Sequence, residues 1–185
     1  MLALATGLVA LLASCTPVTS PSYQQLANAR VPSLCGHPAT TLVNGQNLAI
    51  PAGQGTFQLL RTLSDGESAI VRGVPSRDGG SLTAIVAECN AGGVGFPSDL
   101  VLFGAGPKVY AESFLDSTKW AALGLAGPAR DGITSLRLVG RELEINVDAL
   151  TPDDPECCPS RAVVVHAHPN AKRLIIDRIV DAAGD

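Results

Sequence analysis

Apolar residues late in the chain recur at every second position. Leu143, Ile145 and Val147 alternate with Glu142, Glu144 and Asn146. A side-chain period of two marks a strand with one buried and one wet face. Leu136 and Leu138 carry the pattern up to Gly140, so 133–139 and 141–148 read as a hairpin. Strands are also expected at 40–43, 57–63, 67–72 and 82–89, and at 108–115 pairing with 100–103. Leu100 to Phe103 is a continuous apolar run, suited to a strand covered on both faces. Residues 162–167 and 173–180 form a last hairpin with Pro169-Asn170 at its turn. Helix signals are few: Tyr23–Arg30, a short turn capped near Asp116-Ser117-Thr118, and 174–180, where the preceding turn and β-branched residues favour strand. Short strands separated by Gly and Pro predict an all-β fold, a small antiparallel β-sandwich or barrel-like meander with at most one or two short helices.

The composition suits such a core. Of 185 residues, 46% are hydrophobic and 16% charged, against roughly 25% charged in an average domain. The 17 acidic and 13 basic residues leave a net charge of −4 with no basic block, which argues against a nucleic-acid partner. Aromatic residues are 4%, too few for stacking platforms.

Residues 2–13 are apolar or small apart from Thr6. As a helix the run spans about 18 Å, short of the ~20 residues that cross a bilayer but sufficient for a signal-peptide core. It ends in Leu12-Ala13-Ser14-Cys15. That sequence resembles the lipobox of bacterial lipoproteins, in which the leader is removed and the cysteine becomes the acylated first residue. The resemblance implies lipidation, palmitate included, at Cys15. Two or three acyl chains hold a protein durably, at about 0.8 kcal/mol per buried methylene. The Ser, Thr and Pro that follow read as an extended tether. The expected organisation is a signal peptide at 1–14, a lipidated cysteine and flexible tether at 15–32, and a single disulfide-stabilised β domain at 33–185.

Beyond Cys15 the cysteines are Cys35, Cys89, Cys157 and Cys158. An even number in an exported chain predicts two disulfides, with three possible connectivities. A Cys157–Cys158 bond closes a cramped ring between neighbours and leaves Cys35 to Cys89. The other two pairings send Cys35 and Cys89 each to one of the adjacent pair. Long-range closures of this size contribute roughly 3–4 kcal/mol each. The spacing does not match that of a zinc ribbon.

Three further features bear on chemistry. Asp153, Asp154 and Glu156 crowd a Pro-rich loop, as oxygen ligands for a hard cation would. The spacing lacks the alternation of an EF-hand loop, so a solvated loop pinned by its cysteines is expected. His166 and His168 share a face if 162–168 is a strand, and two imidazoles there could serve a metal or a hydrolytic site. The simpler expectation is a pair of surface histidines. Residues 90–95 are Gly-rich but lack the Lys and following helix of a phosphate loop, and read as a wide turn. No cofactor motif is present, and no catalytic residue is assigned.

Cys35, Val74-Pro-Ser-Arg-Asp-Gly-Gly80, Ala84-Ile-Val-Ala-Glu-Cys89-Asn-Ala-Gly-Gly93 and the acidic loop running into Cys157-Cys158-Pro159-Ser160 come in a telling order. The chain resembles small, mostly uncharacterised secreted proteins and lipoproteins of high-GC Gram-positive bacteria that share it. In those relatives the 74–80 segment resembles a calcium-binding aspartate loop; here Asp78 alone remains of the expected acids. The resemblance implies an envelope protein and brings no activity with it. The expectation is a non-catalytic binding or structural module, lipid-anchored on the extracytoplasmic face of the cell membrane, meeting an envelope protein or a cell-wall ligand. The alternative is an envelope hydrolase or metal-binding protein using His166 and His168.

Overall fold

The computed structural model describes residues 20–32, 38–47, 56–90, 98–104, 109–111, 117–155, 157–170 and 173–182. Cys15, Cys35, Glu156 and most of the Gly-rich turn after Asn90 lie outside the described residues.

The fold is all-β and antiparallel, as the periodicity predicts. Its second half is a four-stranded meander: β8 (Gly127–Val139), β9 (Glu142–Leu150), β10 (Arg161–Asn170) and β11 (Arg173–Asp181), each paired with the next. The β8–β9 hairpin sits where the alternation places it. It turns at Gly140, whose φ of 62° a residue with a Cβ adopts at a cost. Along β9 burial alternates without a break, and Leu143, Ile145, Val147 and Ala149 all face the core.

The other main sheet is built around β5 (Ser81–Asn90). β6 (Ser98–Phe103) lies on one side of it, followed by β7 (Val109–Ala111). The other side of β5 is shared by β3 (Thr56–Leu59), opposite its C-terminal end, and β4 (Ile70–Pro75), opposite its N-terminal end. Every residue of β6 is buried, because the sheet is covered on both faces. Leu82, Ala84, Val86, Leu100 and Leu102 point into a core shared with the meander. Ile85, Ala87, Val101 and Phe103 point the other way, into a second core.

That second core is closed by the N-terminal segment: α1 (Tyr23–Leu26), β1 (Arg30–Val31) and β2 (Thr40–Thr41). Leu26, Ala29, Val31 and Leu42 pack against Phe57, Leu59 and Phe103. α1 is one turn long and depends on its cap. The Ser22 hydroxyl accepts from the Gln25 N–H, and the Gln25 carboxamide oxygen accepts from the Ser22 N–H, a reciprocal capping box. Asn47 secures the layer to β3, its Oδ1 accepting from the Phe57 N–H at 2.8 Å. The Arg61 guanidinium lies 4.1 Å over the Tyr23 ring. This corrects the expected boundary. Residues 21–32 are part of the fold, not tether, and among the described residues burial begins at Pro21.

The short helix expected after residue 116 is α2 (Ser117–Ala122), which buries Trp120 against the first core. The final hairpin differs from expectation at its turn. Pro169 and Asn170 are strand residues opposite Leu174 and Arg173, and the chain reverses after them. β9 pairs only as far as Ala167. The Pro169 carbonyl faces that vacated side and accepts from the Arg77 N–H at 3.1 Å. The missing proline N–H therefore costs the ladder nothing.

Candidate functional site

His166 and His168 share the face of β10 opposite Val163, Val165 and Ala167, as the period of two requires. Both meet carboxylates. His166 Nδ1 lies 3.7 Å from a Glu142 oxygen, which also lies 3.6 Å from Arg178. His168 Nδ1 lies 2.5 Å from Asp177 Oδ2. The expectation of two surface histidines fails at His168, which is 4% exposed.

A β-bulge explains the His168–Asp177 pair. His166 pairs with Arg178 and Ala167 with Ile176, so Asp177 is the extra residue on β11. A bulge leaves such a residue out of the ladder and re-aims its side chain, here onto the neighbouring imidazole. The β4–β5 turn covers this end of the sheet through the Arg77–Pro169 hydrogen bond, and the Arg77 guanidinium lies 3.9 Å from Asp177. A carboxylate fixing an imidazole through Nδ1 is the arrangement used in general acid–base catalysis. The other nitrogen, Nε2, is buried and has no hydrogen-bond partner among the described residues. It therefore reaches no solvent-borne substrate, and the pair acts as a packed polar joint between β10, β11 and the β4–β5 turn.

Among the described residues, no group of three or more His, Cys, Asp or Glu side chains is placed to hold a metal. In the acidic loop, Asp153 is exposed and Asp154 is engaged. Asp154 Oδ2 accepts from the Thr151 N–H at 2.7 Å, the Ser160 hydroxyl at 2.8 Å and the Ser160 N–H at 3.1 Å. The Thr151 N–H, with Ser160 adding to it, holds this carboxyl below its ordinary value of 3.8. The side chain thus closes the base of the loop. Asp78 is likewise spent on its own turn, bonded by the Ser76 hydroxyl between β4 and β5. At the exposed end of the 151–160 loop the sulfur atoms of Cys157 and Cys158 are in disulfide contact. Cys89, 3% exposed, is also disulfide-bonded.

Concave surface occurs where the segment after α2 passes the ends of β10 and β11. A cleft of about 290 Å³ has Leu125, Val163 and Ile179 as its floor. Leu123, 45% exposed, and Val180, 36% exposed, stand at its rim. The Arg161–Asp181 ion pair closes one side, with Arg161 Nε 3.1 Å from Asp181 Oδ1. The accessible lining of the cleft is more polar than apolar, so it is an open hollow with apolar side chains beneath rather than a closed apolar pocket. No sequence motif marks this cleft, because its residues come from three separate stretches of chain.

No known protein family, curated protein or solved structure shows significant similarity to the chain.

Proposed function

We propose that the chain is a lipid-anchored, non-catalytic binding module of a bacterial cell envelope. It is held at the outer face of the membrane through Cys15 and offers its cleft to an envelope protein or a cell-wall ligand. The observation that carries the reading is the Leu12-Ala13-Ser14-Cys15 sequence, placed shortly ahead of Pro21, the first buried residue among those described. A stretch from Cys15 to Ser20 reaches at most about 20 Å when fully extended, so an anchor there keeps the domain close to the bilayer. Support for a binding role comes from the cleft, at whose rim Leu123 and Val180 stand exposed. A hydrolytic reading has less behind it, since His168, whose carboxylate partner lies at hydrogen-bond distance, has its second nitrogen buried.

Metabolic labelling tests the anchor. The full-length chain, expressed in a Gram-positive host, takes up radiolabelled palmitate and partitions into detergent. The Cys15→Ala chain takes up no label. An unlabelled wild-type protein, or equal labelling of both, overturns the proposal.

A further inference from the structure

Cys157 and Cys158 are neighbours in sequence, with Cα atoms 3.8 Å apart. A disulfide stabilises a fold chiefly by closing a loop of the unfolded chain, and the gain grows with the length of the loop. A bond between adjacent residues closes no loop beyond its own dipeptide, so it adds almost nothing as a staple. The surrounding loop does not need it either. Asp154 fixes the base through Thr151 and Ser160, and the Cys158 N–H donates to the Pro155 carbonyl at 2.9 Å. Both cysteines are exposed, whereas Cys89 lies in the second core. The protein thus carries one sulfur pair that is open to solvent and separable from the fold, and another half-disulfide sunk in apolar packing.

We propose that Cys157–Cys158 is a thiol–disulfide exchange site that accepts two electrons from a dithiol reductant. A thiolate of the reductant attacks one of the two sulfurs. That step breaks the Cys157–Cys158 bond, forms a mixed disulfide and releases the other cysteine as a thiolate. The second thiol of the reductant, as its thiolate, then attacks the mixed disulfide. The reductant leaves as a disulfide, oxidised by two electrons, and both cysteines are left as thiolates that take up protons from water. Access to the attacked sulfur governs such exchange, and here the loop presents it at the surface. The sheets need not move, because no strand residue is bonded through the pair.

The full chain with its disulfides formed is treated with graded dithiothreitol, quenched, tagged with iodoacetamide and digested for mass analysis, while circular dichroism follows the sheet. Cys157 and Cys158 become tagged at reductant concentrations about tenfold or more below those that tag Cys89, as access dictates, and the sheet signal is unchanged over that interval. The Cys157→Ser/Cys158→Ser chain keeps the wild-type melting temperature and carries no tag in the same interval. The proposal is overturned if Cys89 is tagged with or before the pair. Loss of sheet signal as the pair opens, or a doubly substituted chain that fails to fold, overturns it equally.

Discussion

Gly132 lies where β8 changes register against β9, between the Pro128–Ala149 and Ile133–Val147 pairs. A Cβ added there would sit 2.6 Å from the Ala129 carbonyl oxygen, 2.8 Å from that of Asp148 and 2.9 Å from the Ala129 nitrogen. All three are backbone atoms, so no side chain can swing aside. Restoring ordinary contact means pushing the Ala129 oxygen out to 3.4 Å or beyond, against a ladder held on β9. Forcing a methyl into a packed site costs typically 1–3 kcal/mol. The rigidity of all three neighbours puts Gly132→Ala near the top of that range, about 3 kcal/mol. For a domain of this size that lowers Tm by roughly 6–12 °C. Arg141→Ala, on the exposed β8–β9 turn, is the control and belongs within about 0.5 kcal/mol of wild type. Thermal unfolding followed by circular dichroism reads both. If Gly132→Ala melts with the Arg141→Ala control, the close approach of β8 to β9 is wrong and so is the register drawn from it.

Two further outcomes follow from the polar joints. Asp177→Ala strips the buried His168 of its bonded partner and should cost about 1–3 kcal/mol in urea unfolding; an effect no larger than that of Arg178→Ala would show that the bulge contact holds nothing together. Asp154 has its carboxyl pKa depressed by the Thr151 N–H above all, so its contribution to loop order is complete above 3.8 and is lost only as pH falls through the lower folded value. Carbon-13 NMR of that carboxyl should give a midpoint below 3.8, and one at or above it would refute the Thr151 and Ser160 bonds.

The sequence exposes strands more readily than the contacts between them. β9 is legible because one of its faces meets the core and the other meets water, which writes the period of two into Leu143, Ile145 and Val147. Leu100 to Phe103 shows no alternation, and the structure supplies the reason: each face of β6 has its own core. Of the N-terminal layer, the helix within Tyr23–Arg30 and the strand within 40–43 are legible, but β1 and the packing of the layer over the sheet are not, because a single helical turn and two-residue strands leave too little pattern to read. One signal was available there, the Ser22–Gln25 spacing of a capping box. Pro169 misleads for a local reason, since proline marks turns unless its nitrogen faces a side where no strand pairs. The joining of Asp177 to His168 has no sequence signature at all, because it rests on one residue of slippage between β10 and β11. Asp154 shows the opposite failure: an acid that looks available for a cation is already committed to Thr151 and Ser160.

The packing of Leu26, Val31 and Leu42 over Phe57 and Phe103 sets a practical limit on trimming the chain. An expression product begun at residue 33 would discard α1 and β1 and leave those aromatic rings bare, a greasy surface that invites clumping in the test tube. One begun at Ser20 would shed residues 1–19, Cys15 among them, yet keep α1, β1 and β2 over the central sheet.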